Sequence, residues 1–326
     1  MGATYDFDTV VDRRGTWCVQ WDGVADRFGV DGLLPFTISD MDWSGEGDGV
    51  VVHTPTYDGF RKAITGLGRE LRGVPVGDEE ALERELARAD AKVLVLCSPH
   101  NPTGRVWTAD ELARTAALAE RHGVAVISDE IHADFVHEEY AGRGHVPWTR
   151  VAGAGRWALI SSGSKAFNFP ALTGSYGLIG DPADRAAYVR RMETGEGLAS
   201  PAVLSLTAHI AAYREGAGWL DAVRAYVAGN LGYVAERLGE AFPELGWAPP
   251  QAGYLAWIDL RPLGVDDAAL QRVLVEREGV AIMGGAVYGA PGFVRLNVGC
   301  PREKVELGVA ALIRAVEGLV ASPAGD

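Results

Sequence analysis

The sequence is poor in cysteine. Its 326 residues include three cysteines, Cys18, Cys97 and Cys300, which are far apart and form no Cys-x-x-Cys pair. Structural zinc sites and disulfide-rich secreted domains need more cysteines or closer spacing. We therefore expect free thiols in a reducing compartment and no metal site.

The sequence also lacks long apolar runs and an excess of positive charge. No apolar stretch approaches the ~20 residues of a membrane-spanning helix. The N-terminal residues are polar and acidic, unlike a signal peptide. Lysine and arginine number 30 against 44 aspartates and glutamates, and the formal net charge of -14 disfavours nucleic acid or an anionic membrane as partner. These features predict a cytoplasmic protein.

What the chain does contain is a series of short, continuously apolar runs. They lie at 50–53, 93–97, 124–127, 157–160 and 176–179. They do not alternate with polar residues, which is typical of parallel strands buried on both faces. A helix predicted at about 109–121 begins with a capping box formed by Thr108 and Glu111. Strands that alternate with helices predict a doubly wound α/β sheet, whose ligands bind at the carboxyl ends of the strands.

From about residue 181 the pattern changes to helices, predicted at 181–194, 201–215 and 218–241. The tail mixes predicted strands with helices, at 254–260, 280–283 and 293–298 and at about 266–277 and 301–319. We predict three parts: an N-terminal arm (1–46) that packs with a small domain, a large domain (47–217), and a long connecting helix with the small C-terminal α+β domain (218–326).

A lysine follows one of the predicted strands. Lys165 stands among small polar residues just past 157–160, and a lysine at the mouth of a buried strand is costly unless it has a task. One such task is a Schiff base with an aldehyde, which suits a desolvated amine with a lowered pKa. Pyridoxal phosphate chemistry also needs a carboxylate facing the ring nitrogen, and Asp129 can supply it. A solvated loop lysine and a helix-capping aspartate are the structural alternatives.

Three further polar residues lie near predicted strand ends. Asn101, in an Asn-Pro-x-Gly turn, can donate a hydrogen bond to a ring hydroxyl, and His132 can face the same ring oxygen. Ser162 can offer its hydroxyl to a phosphate. An ordinary turn and a structural histidine are the alternative interpretations.

Segments through nearly the whole chain match one pattern. They are Arg13-Arg14-Gly15-Thr16 with Trp21-Asp22, Ser39-Asp40-Met41-Asp42, Pro55-Thr56-Tyr57, the Asn101 turn, Ser128 to His132, the Lys165 segment, Gly218-Trp219-Leu220-Asp221 and Val294-Arg295-Leu296-Asn297. The combination resembles the fold-type I pyridoxal-phosphate enzymes of the class I/II aminotransferase superfamily. More narrowly, it is similar to the MalY/PatB group of cystathionine β-lyase-like (cysteine C–S lyase) proteins. The resemblance implies an α/β large domain with a mostly parallel, doubly wound sheet and a smaller α+β domain.

The resemblance also implies roles for the residues that face the cofactor. Lys165 would bind pyridoxal 5'-phosphate covalently and Asp129 would pair with its ring nitrogen. Asn101 would donate to the ring hydroxyl, and His132 stands where related enzymes often place a tyrosine near the same oxygen. Tyr57 would stack on the ring, with core packing as its alternative.

By the same resemblance, Arg295 would hold the α-carboxylate of the substrate. An arginine inside an apolar strand is costly without an anionic partner, which independently supports this role. A structural ion pair is the alternative.

The activity implied is a β-elimination. A small amino-acid substrate, L-cystathionine or a related cysteine S-conjugate, would give pyruvate, ammonia and a thiol, and the protein would be a homodimer. An aminotransferase is a second hypothesis, because the two reactions share their first half. A catalytically inactive homologue is a third.

The family pattern breaks after Trp43. Several dozen residues would precede the strand equivalent to 50–52, but here only 44–49 intervene. The missing stretch would hold a Gly/Ser-type loop that opens a helix, which suits a phosphate, and a tyrosine that reaches a neighbouring subunit's phosphate. Three explanations are open: a natural internal deletion that impairs the cofactor site, a sequence that omits part of the natural chain, or another segment that supplies the phosphate donors.

Overall fold

The computed structural model describes residues 47–195, 197–198 and 202–321. Its larger sheet has six strands in the order β2-β1-β3-β4-β5-β6. Neighbours from β2 to β5 pair in parallel, and β6 pairs antiparallel with β5. The bounds are β1 Gly49–Thr54, β2 Glu70–Pro75, β3 Ala91–Cys97, β4 Ala125–Asp129, β5 Trp157–Ser161 and β6 Tyr176–Ile179. The predicted N-terminal arm, 1–46, lies outside the described residues.

Helices pack on both faces of this sheet, α1 Asp58–Gly66 on one face and α2 Glu79–Leu86 and α3 Ala109–Arg121 on the other. Two short helices, α4 Glu138–Ala141 and α5 Gly163–Ala166, follow β4 and β5. Successive strand residues point to opposite faces, so Val51 and Leu94 join one core while Val52 and Val93 join another. This double burial explains the missing alternation in the sequence. The predicted capping box of α3 is also confirmed.

The second half of the described chain is mainly helical and carries the smaller sheet. Its helices are α6 Pro182–Arg190, α7 Val203–Glu215, α8 Ala217–Ala241, α9 Asp267–Glu276 and α10 Arg302–Ala321, and its strands are β7 Leu255–Asp259, β8 Met283–Gly284 and β9 Phe293–Asn297. The three strands are antiparallel in the order β7-β9-β8. Buried Leu231 and Leu312 from α8 and α10 pack with Ile258 of β7. The α/β fold with a mostly parallel sheet is thus confirmed, and the exact domain boundaries stay a prediction.

Two sequence predictions are wrong and one strand was missed. β6 is antiparallel and exposed rather than parallel and buried, because it is the last strand of the sheet. β2 was missed because Val74 is its one buried residue, so the sequence shows no apolar run there. The strand predicted at 280–283 shrinks to Met283–Gly284.

Hydrogen bonds join the loop that precedes β7 to residues near the carboxyl ends of the large sheet. His137 Nε2 lies 2.7 Å from the Gly253 carbonyl oxygen, and the Gly253 N–H donates to the Phe135 carbonyl at 2.8 Å. The Gln251 side chain accepts from the Val106 N–H at 2.9 Å. Residues of β7 and β9 are thereby held over the carboxyl ends of β3, β4 and β5. In the described residues, no helix has the length and hydropathy to cross a membrane.

Candidate active site

Asp129 is the last residue of β4, at the carboxyl edge of the sheet. Its Oδ1 accepts a hydrogen bond from the Ile131 N–H at 3.0 Å. Burial raises the pKa of Asp129 to about 6; the Ile131 hydrogen bond lowers it, neighbouring Glu130 raises it and Lys165 lowers it. At neutral pH Asp129 is therefore an ionised, poorly solvated carboxylate.

The adjacent carboxylate, Glu130, belongs to a separate buried network. It accepts hydrogen bonds from the Ser128 hydroxyl at 3.0 Å and the Trp148 N–H at 2.7 Å, and it lies 2.8 Å from His145 Nε2. These hydrogen bonds hold Ser128 and Glu130, the two sequence neighbours of Asp129, in place. Sequence reasoning did not find this network, because His145 and Trp148 are far from Glu130 in sequence.

Lys165 lies on the short helix α5, which follows β5. Ser162 caps this helix by accepting the Ser164 N–H at 3.1 Å, and Asn168 ends the turn in the left-handed region at φ 54°, where asparagine is enriched among non-glycine residues. Burial and the Arg295 charge lower the pKa of Lys165, while Asp129 raises it. An amine that loses its proton more readily is suited to covalent chemistry and to general-base work.

Ser162 lies beside Lys165, but protein atoms already use its hydroxyl. It donates to the Gly174 carbonyl at 2.6 Å, accepts the Ser164 N–H and lies 3.1 Å from His209 Nε2. To bind a phosphate, the hydroxyl would have to exchange one of these partners. The phosphate role of Ser162 stays a prediction.

Arg295 reaches the site from β9 of the small sheet. Its Nη1 donates to Asn101 Oδ1 at 3.2 Å, and its guanidinium lies 4.6 Å from the centroid of the Tyr288 ring. Because Oδ1 of Asn101 is taken, its amide nitrogen is the group that can donate to a ligand. The predicted anion-binding arginine and the predicted donor thus lie side by side.

His132 is buried next to these groups. Its Nδ1 has no hydrogen-bond partner among the described residues. Burial, with Lys165 and Arg295 nearby, lowers the pKa of His132 to about 3, so the ring is neutral at pH 7. A buried polar atom without a partner is expensive, and a bound ligand would supply the missing bond.

Two tyrosines complete the site, and sequence reasoning found one of them. Tyr57 directly precedes α1, and its ring meets Phe60 edge to face at 5.6 Å. Tyr254, which directly precedes β7, was missed. Burial raises the pKa of Tyr254 to about 12, with Arg295 lowering and Tyr57 raising it, and its ring lies 6.4 Å from His132. The signal that could have found Tyr254 is its position between Gly253 and β7, the strand that pairs with the strand of Arg295.

The structure therefore brings six predicted residues together, Lys165, Asp129, Asn101, His132, Tyr57 and Arg295, and places Ser162 at their edge. This donor set fits the ring side of pyridoxal phosphate, which needs an amine for the aldehyde, a carboxylate for the ring nitrogen and donors for the hydroxyl. The unpartnered His132 Nδ1 supports the fit. Ser162 is the one residue that the sequence analysis assigns to the phosphate, and its hydroxyl already donates to the Gly174 carbonyl.

Comparison with known proteins places this site in a family. The model of the family described as "Aminotransferase class I and II" matches residues 37–312. The chain is 47% identical over 392 residues to Protein MalY of Escherichia coli (strain K12), covering 97% of this chain and 100% of that protein. It is 28% identical to cystathionine beta-lyase PatB of Bacillus subtilis (strain 168), covering 90% and 95% of the two. The chain belongs to the class I and II aminotransferase family.

A solved structure supports the same fold. Cystalysin from Treponema denticola, which contains a pyridoxal 5'-phosphate cofactor, matches with a TM-score of 0.84 at 23% identity, covering 97% of this chain and 100% of that one. At this identity the likeness shows the fold alone.

The comparison with MalY also bears on the short junction after Trp43. The alignment runs over 392 residues and this chain has 326, so at least 66 aligned positions have no residue here. The family model matches on both sides of 44–49. MalY therefore has aligned residues that this chain lacks, and their location after Trp43 stays a prediction.

Proposed function

We propose that the protein is a pyridoxal-phosphate-dependent carbon–sulfur β-lyase that acts on L-cystathionine or a related cysteine S-conjugate. The observation that carries this proposal is the convergence of Lys165, Asp129 and Arg295 in a chain that is 47% identical to MalY over nearly its whole length. The relation to PatB, which is named a cystathionine beta-lyase, favours the lyase over the aminotransferase.

The cofactor would be held by residues from both sheets. Lys165 would bind its aldehyde carbon, Asp129 its ring nitrogen, and Asn101 and His132 its ring oxygen. When bound, pyridoxal phosphate supplies an electron sink that stabilises negative charge at the substrate Cα. Asp129, ionised above its pKa of about 6, would keep the ring nitrogen protonated at neutral pH.

Substrate binding and proton transfer would be carried out by side chains of the protein. Arg295 binds the substrate α-carboxylate and Asn101 orients its guanidinium through the 3.2 Å hydrogen bond. Burial and the Arg295 charge lower the pKa of the Lys165 amine, so the amine can accept the Cα proton as a general base. Release of the thiolate from Cβ, followed by hydrolysis, yields pyruvate, ammonia and a thiol.

The reaction can be tested directly. Protein incubated with pyridoxal phosphate and L-cystathionine should release pyruvate and free thiol in equal amounts. Lys165→Ala should abolish this release, whereas Lys304→Ala, an exposed lysine on α10, should leave it unchanged. Amino transfer that needs an added keto acid and releases no thiol would instead identify an aminotransferase.

A second candidate, a homologue with an impaired cofactor site, is favoured by the absent stretch and by the engaged Ser162 hydroxyl. The absorption spectrum separates the two. A lysine-bound cofactor absorbs near the visible, and Lys165→Ala should remove that band. Protein that shows no band at saturating pyridoxal phosphate would support the impaired homologue.

We further propose that the protein is cytoplasmic and homodimeric, as its resemblance to the lyase group implies. Light scattering after size-exclusion chromatography, at several protein concentrations, tests the dimer. A mass of one chain, 34.7 kDa, at every concentration would contradict it.

A further inference from the structure

His209 of α7 lies beside Ser162, the residue that the sequence predicts for the phosphate group. Its Nε2 atom is 3.1 Å from the Ser162 hydroxyl oxygen, and its Nδ1 atom is 2.8 Å from the Ser205 carbonyl oxygen. The Phe169 ring packs against the imidazole edge to face, with the ring centroids 4.8 Å apart. The half-buried imidazole is therefore held with Nε2 within hydrogen-bond distance of Ser162.

The hydrogen bonds around this pair of residues determine where its protons lie. A carbonyl oxygen can only accept, so the Nδ1 atom of His209 carries a proton that it donates to Ser205. The Ser162 hydroxyl has one proton, which it donates to the Gly174 carbonyl at 2.6 Å, while its oxygen accepts the Ser164 N–H at 3.1 Å. That proton is therefore not available to Nε2 of His209.

The contact between Ser162 and His209 is then a hydrogen bond only if His209 is the donor. A neutral ring with its proton on Nδ1 would direct the Nε2 lone pair at a lone pair of the Ser162 oxygen. If the hydroxyl turned to Nε2 instead, the 2.6 Å contact with the Gly174 carbonyl would hold no proton. A ring with protons on both nitrogens satisfies every one of these contacts. The geometry thus fits a positively charged His209.

This charged ring has no anionic partner in the part of the chain that the structure describes. Its polar contacts there are a hydroxyl and a carbonyl, and neither carries a charge. Removing a cation from water is costly unless an anion pairs with it. A ligand with negative charge would supply that partner, and a phosphate group offers both the charge and several acceptor oxygens.

The position of the pair indicates which phosphate it would bind. Ser162 caps α5, the short helix that carries Lys165. We propose that His209, beside Ser162, is a charged donor to the phosphate group of pyridoxal 5'-phosphate. The Nε2 proton can turn from the Ser162 oxygen to a phosphate oxygen without breaking the hydrogen bond from Ser162 to Gly174. The proposal rests on the proposed function for its cofactor, and it favours a segment other than the one missing near 44–49 as the source of phosphate donors.

Two aldehydes that differ only in the phosphate group, pyridoxal phosphate and pyridoxal, test this role. Titration calorimetry with the full chain and no substrate measures the affinity for each. The wild type should bind pyridoxal phosphate more tightly than pyridoxal. His209→Gln should weaken the binding of pyridoxal phosphate about 10- to 100-fold, the range expected for one hydrogen bond to a charged group. The same variant should leave the binding of pyridoxal unchanged.

Two further variants separate the charge of His209 from its packing. His209→Lys keeps a positive charge and should retain more of the preference for the phosphorylated aldehyde than His209→Gln does. His122→Gln makes the same exchange at the C-terminal end of α3 and should leave both affinities unchanged. Circular dichroism of each variant confirms its folding.

Three results would overturn the proposal. The first is a wild type without any preference for pyridoxal phosphate over pyridoxal. The second is a His209→Gln variant that keeps the wild-type preference, because both affinities are unchanged or fall by the same factor. The third is a His209→Lys variant that loses as much preference as His209→Gln, since charge would then not matter. A chain that prefers pyridoxal phosphate through His209 but releases no thiol from cystathionine would support this proposal and refute the lyase.

Discussion

Burial sets the charge of the individual residues around Lys165. The pKa of Asp129 rises to about 6, that of His132 falls to about 3, and that of Lys165 falls as well. The sequence could place these residues, because motifs at strand ends identify them. It could not predict the shifts, since they depend first on burial and, for the pKa of His132 and of Lys165, also on Arg295. Arg295 follows Lys165 by 130 positions and reaches the site only through packing of the small sheet.

The raised pKa of Asp129 makes a prediction for stability. Its carboxyl binds a proton more tightly in the folded protein, at about 6, than in the unfolded chain, at about 3.9. The stabilising contribution is therefore complete below about pH 4 and is lost as the pH rises through 6. Relative to Asp129→Asn, the wild type should lose about 1 to 2 kcal/mol of unfolding free energy between pH 4 and 7, after allowance for partial exposure.

Urea unfolding of both proteins at four pH values measures this difference. Because every histidine is common to the pair, the titration of the histidines cancels in the comparison. The difference should be constant above pH 7. A difference that does not change between pH 4 and 7 would show that the Asp129 carboxyl is solvated.

At the scale of elements, the sequence predicted those strands that bury both faces. β3 and β5 were found within two residues of their bounds, since an uninterrupted apolar run signals double burial. β2 buries one side chain and was invisible to this criterion. β6 was found, but its direction was not, because four apolar residues do not reveal which neighbour they pair with.

The N-terminal cap of α3 gives the second prediction. The Thr108 hydroxyl accepts the Glu111 N–H at 3.1 Å, and the Glu111 carboxylate accepts the Thr108 N–H at 2.8 Å. Thr108→Ala should cost about 1 kcal/mol of unfolding free energy. Thr65→Ala is the matched control, because the exposed Thr65 hydroxyl donates to the Arg61 carbonyl within α1 and caps no helix end.

Denaturation in urea would report the change as a lower midpoint with an unchanged slope. The control should stay within about 0.5 kcal/mol of the wild type. Equal losses in the two variants would assign the effect to loss of a threonine side chain in general, not to the capping box.

At the scale of the whole molecule, the short junction and the exposed antiparallel strand β6 lie far apart in the large sheet. The short junction at 44–49 leads into β1 and shares its first residue, Gly49, whereas β6 lies four strands away, about 19 Å at the usual spacing. The sequence could show that a stretch was missing. It could not show that β6 is exposed, because that depends on the strand order, in which β6 is last.

The exposed apolar residues of α7 predict the stability and the dye binding of the chain alone. Leu204 is 74% exposed, so Leu204→Glu should change the unfolding free energy by no more than about 0.5 kcal/mol. The same variant should lower the fluorescence of a dye that binds apolar surface, because it places a charge among these apolar residues. Leu231→Glu, at a fully buried position of α8, should prevent folding and provides the contrast. If residues 1–46 or a second copy covered Leu204, Leu204→Glu would instead lower the unfolding free energy by about 2 kcal/mol or more. The wild type would then already bind the dye weakly.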